Sequence, residues 1–270
     1  MPAEVAPITT SMHIEPAAAD VSEDAVLGGA LRLRQPRRGH RVGHDAILLA
    51  AGCLARPGDT VVELGAGVGA AGLAVAARVL GTRVALVEID PGLAALAAEN
   101  ANLNGLADRV RSIALDVRAQ PRAFAAAGLK AQSAEHVLMN PPFNDPARQQ
   151  PSPEGDRRRA HAASRGELAA WIRAAERLLR PRGTLSLIFR ADGFPDLLRL
   201  LEPGFGGVTV LPVYPSADRP AVRVLAGATK GSRGPLVLLP GLVLNDSSGH
   251  PTPEAEAVLR EGVALPLAGS

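Results

Sequence analysis

Residues 60–69 read TVVELGAGVG, an apolar run interrupted by Glu63 and followed by three glycines at alternate positions. The first five residues have the length and β-branched content of a strand buried on both faces. Gly65, Gly67 and Gly69 then mark a tight turn, and the alanine-rich run behind it, to about residue 80, has helical spacing. Strand, glycine turn and helix in this order place backbone N–H groups at the carboxyl end of a strand, where doubly wound sheets hold nucleotide-like ligands. Gly67, Gly69 and Gly72 also satisfy G-x-G-x-x-G, so the same residues admit a dinucleotide. A turn without a ligand is the bland alternative.

Outward from this stretch the chain alternates. RVALVEI (83–89) reads as the next strand, and Pro91 opens a helix carrying Leu93, Leu96 and Ala97. RVRSIAL (109–115), a short helix near 119–127 and EHVLM (135–139) continue the series. A loop rich in Pro, Gln and Arg is expected to about 163, then a helix from 165 to 180 stopped by Pro181, strand TLSLIFR (184–190) and a helix over 193–202. VTVLPVY (208–214) and AVRVLAGATK (221–230) are joined too closely for a helical crossover, which predicts an antiparallel pair. The fold class is therefore α/β: a doubly wound, mostly parallel seven-stranded sheet with an antiparallel closing pair. Residues 1–24 read as a disordered tail and 25–230 as the main domain, opening with short extended segments over 25–42 and a helix from Asp45. Residues 231–270 read as an extension packed on that domain, with a short helix near 253–260.

Composition narrows the class. The 47% hydrophobic content suits an ordered globular protein, no apolar run reaches the roughly 18 residues of a membrane span, and the first residues lack a secretory pattern, so a cytoplasmic protein is expected. The single cysteine, Cys53, lies in AILLAAGCLA and reads as a small buried filler. Formal net charge is +2, and Lys130 and Lys230 are the only lysines. Arginines cluster twice: Arg32, Arg34, Arg37, Arg38 and Arg41 before the first long helix, and Arg148, Arg157, Arg158, Arg159 and Arg165 after the fourth strand of the alternating series. Either cluster is a solvated loop or a phosphate-binding surface.

Three strand ends carry the chemistry. Glu88 closes LVE, placed to accept two hydrogen bonds from ribose hydroxyls, and Asp116 closes IALD, placed to accept from an adenine amino group. Asn140-Pro141-Pro142-Phe143 follows the EHVLM strand, which a dehydrogenase does not explain. With these in register the chain resembles the Rossmann-like class I methyltransferases. The resemblance implies S-adenosyl-L-methionine as cofactor, Glu63, Gly65, Gly67 and Gly69 as the first motif, and Glu88, Asp116 and Asn140 as further cofactor contacts. An exocyclic amine is a poor nucleophile because its lone pair is delocalised. Two acceptors aimed at its N–H bonds, the Asn140 side-chain oxygen and the Pro141 carbonyl, favour pyramidalisation and free that pair. The prolines hold the turn rigid and Phe143 offers a stacking face for an extruded base. No metal and no general base is required.

Ahead of the sheet, Gln35-Pro36 and Gly39-His40-Arg41-Val42-Gly43-His44-Asp45 lead into ILLA. This segment, with VELGAGVGAAGL, VEID, MNPPF, Arg158 and His161, RAAERLLRPRGTLSLI and ATKGSRGPL, is similar to the bacterial valine-tRNA adenine-N6 methyltransferase family over about residues 27–260. The resemblance implies methylation of an adenine beside the anticodon of a tRNA. It also implies Arg41, Gly43 and Asp45 as borders of the cofactor pocket, although Asp45 also reads as a cap for the next helix. Arg37, Arg38, Arg157, Arg158, Arg159 and His161 are expected at the RNA. The alternatives share the amine chemistry: an rRNA guanine-N2 methyltransferase, a protein-glutamine N5 methyltransferase, expected to carry a helical recognition domain ahead of the sheet, and a DNA adenine-N6 methyltransferase, expected to carry a target-recognition domain. Monomer and homodimer both remain open.

Overall fold

The structure, a computed structural model, describes residues 20–38, 41–142 and 154–267, with backbone alone over 154–164. It opens with a hairpin of β1 (Val21–Val26) and β2 (Leu31–Pro36), followed by helix α1 (His44–Ala51). The alternating series comprises β3 (Thr60–Leu64), α2 (Ala70–Arg78), β4 (Arg83–Glu88), α3 (Pro91–Leu103), β5 (Val110–Ala114), α4 (Pro121–Ala126) and β6 (Ala134–Met139). It continues through α5 (Glu154–Leu178), β7 (Leu179–Arg190), α6 (Phe194–Leu201), β8 (Phe205–Ser216) and β9 (Arg223–Lys230). The short strands β10 (Val237–Leu238) and β11 (Leu242–Asn245) and helix α7 (Pro253–Glu261) complete the described elements.

The main sheet runs β5-β4-β3-β6-β7-β9-β8, with β10 and β11 both on the outer edge of β8. Strands β3 to β7 pair in parallel, and β9 inserts antiparallel between β7 and β8. Side-chain alternation explains the continuous apolar runs. Val61, Val84 and Leu86 face the layer of α1 and α2, whereas Val62, Leu64, Ala85 and Val87 face the layer of α5 and α6. From β3 the chain winds one way to β4 and β5 and the other way to β6 and β7, so the strand order reverses between β3 and β6. A switch point of this kind opens a crevice at the carboxyl ends of its strands.

Helix α3 illustrates local control. Asp90 is its N-cap, accepting from the Gly92 and Leu93 N–H groups at 2.7 and 3.2 Å, with Pro91 at the first helical position.

Three expectations change. Residues 21–24, expected within the tail, belong to β1, whose acids are held across the hairpin: Glu23 pairs with Arg32 and Arg34, and Asp24 accepts from Gln35 and Arg41. The loop expected to 163 is helical from Glu154, since residues 154–178 contain no proline and many strong helix formers that a charge-rich composition disguised. The extension after 230 adds two strands to the sheet, making nine where seven were expected, and buries Leu265 and Leu267 against the α1 layer.

Leu86 ties strand β4 to the glycine turn. It is fully buried, and its methyls lie 2.7 Å and 2.4 Å from where a Cβ would stand at Gly69 and Gly72. Leu86→Ala should therefore cost about 3 kcal/mol, read as a shift of the urea midpoint at unchanged m-value; a cost below about 1 kcal/mol contradicts this packing.

Candidate active site

Strand register sets the site. Leu64 pairs with Val87 on one side and Met139 on the other, and Glu88 pairs with Ala114. Glu88, Gly65 and Asn140 therefore leave the carboxyl ends of three adjacent parallel strands, each about 4.8 Å from the next. Asp116 stands two residues past the end of the fourth, β5. Pro141 is buried, Asn140 is half-buried and Pro142 is exposed.

The turn between β3 and α2 has Gly65, Gly67 and Gly69 at φ of +68°, +55° and +87°. A Cβ at Gly65 would stand 2.2 Å from the Trp171 ring, and one at Gly69 would strike Leu86, so these two glycines answer to packing. At Gly67 a Cβ would meet nothing within 4 Å. Gly67 thus leaves a cradle open on the side facing away from the core.

Side chains from three elements hold this turn. The Gly67 N–H donates to Glu88 Oε2 at 2.7 Å, and the Gly72 N–H, in the first turn of α2, donates to Glu63 Oε2 at 2.7 Å. From α3, Asn100 Nδ2 donates to the Val68 carbonyl at 3.0 Å. Glu88 also accepts from the Asp90 N–H at 3.0 Å through its other oxygen. A carboxylate that is itself only 6% exposed, beside a turn open above Gly67 and with Ile89 next to it 56% exposed, suits a cofactor with a ribose and a flat heteroaromatic ring.

Several expected contacts fall elsewhere. Glu63 is 5% exposed and shares the Val61 face of β3, so its carboxyl anchors α2 from beneath and does not face the cradle. Burial raises its pKa to about 8, opposed by the Gly72 N–H and reinforced by Glu88. Arg41 turns back to the hairpin, donating to Asp24 at 2.7 Å and Ser22 at 3.2 Å. Asp45 is not the cap of α1, whose N-cap is Gly43; its carboxylate accepts from Arg223 of β9 at 2.9 Å. Asp116 is clasped by Arg118, which holds its pKa below the usual carboxylate range. Arg37 and Arg38 are exposed at the end of β2. Arg157, Arg158, Arg159 and His161 lie on α5 where only backbone is described, and Phe143, Gly39 and His40 lie outside the described residues. The Cys53 thiol is buried and pushed up to about 11, which leaves it inert.

The sequence reading missed Ile89, Trp171 and Asn100. Trp171, the chain's one tryptophan, supports Gly65 from α5, and only its rarity hinted at a special place. Asn100 sits in ENANLNG, which reads simply as a polar helix end.

The TRM5/TYW2 methyltransferase domain matches residues 50–145, from α1 through the motif after β6. The tRNA1(Val) (adenine(37)-N6)-methyltransferase of Dickeya chrysanthemi is 27% identical over 230 residues, 82% of this chain and 87% of that protein. The release factor glutamine methyltransferase of Chlorobaculum tepidum is 28% identical over 178 residues, 64% of this chain and 59% of that protein. Among solved structures, a predicted O-methyltransferase of Agrobacterium tumefaciens superposes with a TM-score of 0.69 at 31% identity, over 82% of this chain and 97% of that one.

Glu63 makes stability depend on pH. With its folded pKa raised from 4.5 to about 8, the native state holds a proton that the unfolded chain releases first. The resulting stabilisation is complete below the unfolded value, declines as pH rises and is lost past the folded value. The melting temperature of wild type minus that of Glu63→Gln should therefore fall between about pH 4.5 and about pH 8. A difference independent of pH contradicts a buried, protonated Glu63.

Proposed function

The chain belongs to the class I S-adenosylmethionine-dependent methyltransferases, and we propose that it methylates the exocyclic N6 amine of an adenine in tRNA. The observation that carries this reading is the position of Asn140-Pro141, one strand from the glycine turn and across the switch point from it. Relatedness over most of the chain to a protein named for tRNA adenine methylation supports the choice of acceptor.

In this reading Glu88 holds the ribose, Ile89 covers one face of the adenine ring and the cradle above Gly67 receives the remainder of the cofactor. When bound, S-adenosylmethionine supplies an electrophilic methyl group. Asn140 Oδ1 and the Pro141 carbonyl each accept one N–H of the incoming amine, drawing the nitrogen toward a tetrahedral geometry and restoring its lone pair. Neither Pro141 nor Pro142 carries an N–H, so the backbone after Asn140 offers the amine no competing donor. Burial of Pro141 against the core keeps its carbonyl fixed, so little reorganisation accompanies the chemistry. The amine gives up its extra proton after transfer, when it is acidic enough to pass to water without a dedicated base. The exposed Arg37 and Arg38 suit contact with RNA phosphates at the hairpin end.

Labelled S-adenosylmethionine should transfer its methyl to unmodified valine tRNA, giving N6-methyladenosine on digestion, and not to ribosomal RNA, duplex DNA or release factor. Label in rRNA as methylguanosine, or in the release factor, overturns the acceptor. Asn140→Ala should lower kcat by about 100-fold to 1,000-fold while leaving cofactor affinity near wild type, and turnover near wild type contradicts the acceptor role. Glu88→Ala should weaken S-adenosylmethionine binding by about tenfold or more in calorimetry, and unchanged affinity removes Glu88 from the pocket.

A further inference from the structure

Asn100 is buried at 0% exposure on α3 and makes three hydrogen bonds. Its Oδ1 accepts from the Arg34 N–H at 2.7 Å, and its Nδ2 donates to the Arg34 carbonyl at 2.9 Å and to the Val68 carbonyl at 3.0 Å. One turn later Asn104 repeats the first part: Oδ1 accepts from the Arg32 N–H at 2.9 Å, and Nδ2 donates to the Arg32 carbonyl at 2.7 Å. Four residues of helix advance about 6 Å and two residues of strand about 6.6 Å. The two amides therefore match alternate residues of β2 and stand in for a neighbouring strand along its outer edge.

Docking the hairpin explains Asn104 entirely, since its remaining bond is to the Asn100 carbonyl of its own helix. It does not explain why Asn100 reaches Val68. Glu63 takes the Gly72 N–H, an orphan donor of the first turn of α2, and the Val68 carbonyl, which precedes the N-cap and so has no helical donor, is satisfied by Asn100. The Val68 peptide lies between Gly67, whose N–H orients the Glu88 carboxylate, and Gly69, the N-cap of α2.

We propose that Asn100 is a positioning residue for the cofactor. Through the Val68 carbonyl it fixes the Gly67 N–H and hence the Glu88 carboxylate, and it fastens the turn to the β1–β2 hairpin whose end carries Arg37 and Arg38. This rests on the cofactor reading above. A buried amide meeting three backbone groups is costly to leave half-satisfied, so its removal loosens a turn whose glycines impose little stiffness of their own.

The test compares Asn100→Ala and Asn100→Asp with Asn104→Ala, which loosens the same hairpin without touching the turn. Asn100→Asp keeps the volume and the acceptor for Arg34 and loses the amide donor, so it carries the comparison if the alanine variant does not fold. Calorimetric Kd for S-adenosylmethionine should rise about tenfold in the Asn100 variants and stay within about twofold of wild type in Asn104→Ala, although all three lower the melting temperature. Amide exchange at Gly67 to Gly69, followed without ligand, should accelerate in the Asn100 variants alone. Equal exchange in Asn100→Asp and Asn104→Ala, or equal Kd, overturns the positioning role. A wild type that binds no S-adenosylmethionine overturns the functional reading, while the exchange comparison still decides the role of Asn100.

Discussion

Everything in this molecule that bears on function depends on how the backbone between Gly65 and Gly69 is held. Left-handed φ at three alternate glycines leaves the turn without an intrinsic preference strong enough to fix it. Its conformation comes from outside, through Glu88 at the Gly67 N–H, Glu63 at the Gly72 N–H and Asn100 at the Val68 carbonyl. Each contact replaces a water with a fixed partner in a poorly hydrated place, where a hydrogen bond is stronger and an unmade one costlier. Two of the three partners are carboxyls. Both are buried, at 5% and 6% exposure, and the structure keeps them compatible because burial, with Glu88 beside it, raises the Glu63 pKa to about 8.

The sheet order converts that local constraint into a site. Because β3 is followed by β4 on one flank and faces β6 on the other, the turn and the Asn140-Pro141 corner come to the carboxyl edge across a single strand spacing. Donor and acceptor pockets can then be built on short, rigid strand ends, so little loop ordering is needed at the moment of reaction. The surface ion pairs around the rim, such as Asp45 with Arg223, join distant parts of the chain and contribute little energy at their partial exposure.

What the sequence disclosed follows the range of the interaction involved. The β3, glycine turn and α2 unit, Glu88 at a strand end and Asn140 before two prolines all rest on residues within a few positions of one another. The direction of Glu63 was also contained in strand parity, since it shares a face with Val61 and that face lies under α2; its place in the motif pointed to the ligand instead. The partner of Asp45 lies 178 residues away and has no local trace. The same holds for Asn100, 66 residues from Arg34 and 32 from Val68. The hairpin at Val21 was hidden because its acids and arginines resemble a disordered composition until they are paired across two strands. The long α5 was hidden because propensity and charge pull a reader in opposite directions.

The central claim is that the cradle above Gly67, bordered by Glu88 and facing Asn140, receives the methyl donor. A crystal structure of the protein with S-adenosylhomocysteine tests it most directly. The expected result has both ribose hydroxyls on the Glu88 carboxylate, the adenine against Ile89 and the sulfur turned toward Asn140. A ligand bound away from the carboxyl ends of β3 and β4, or one whose sulfur points away from Asn140, contradicts the account.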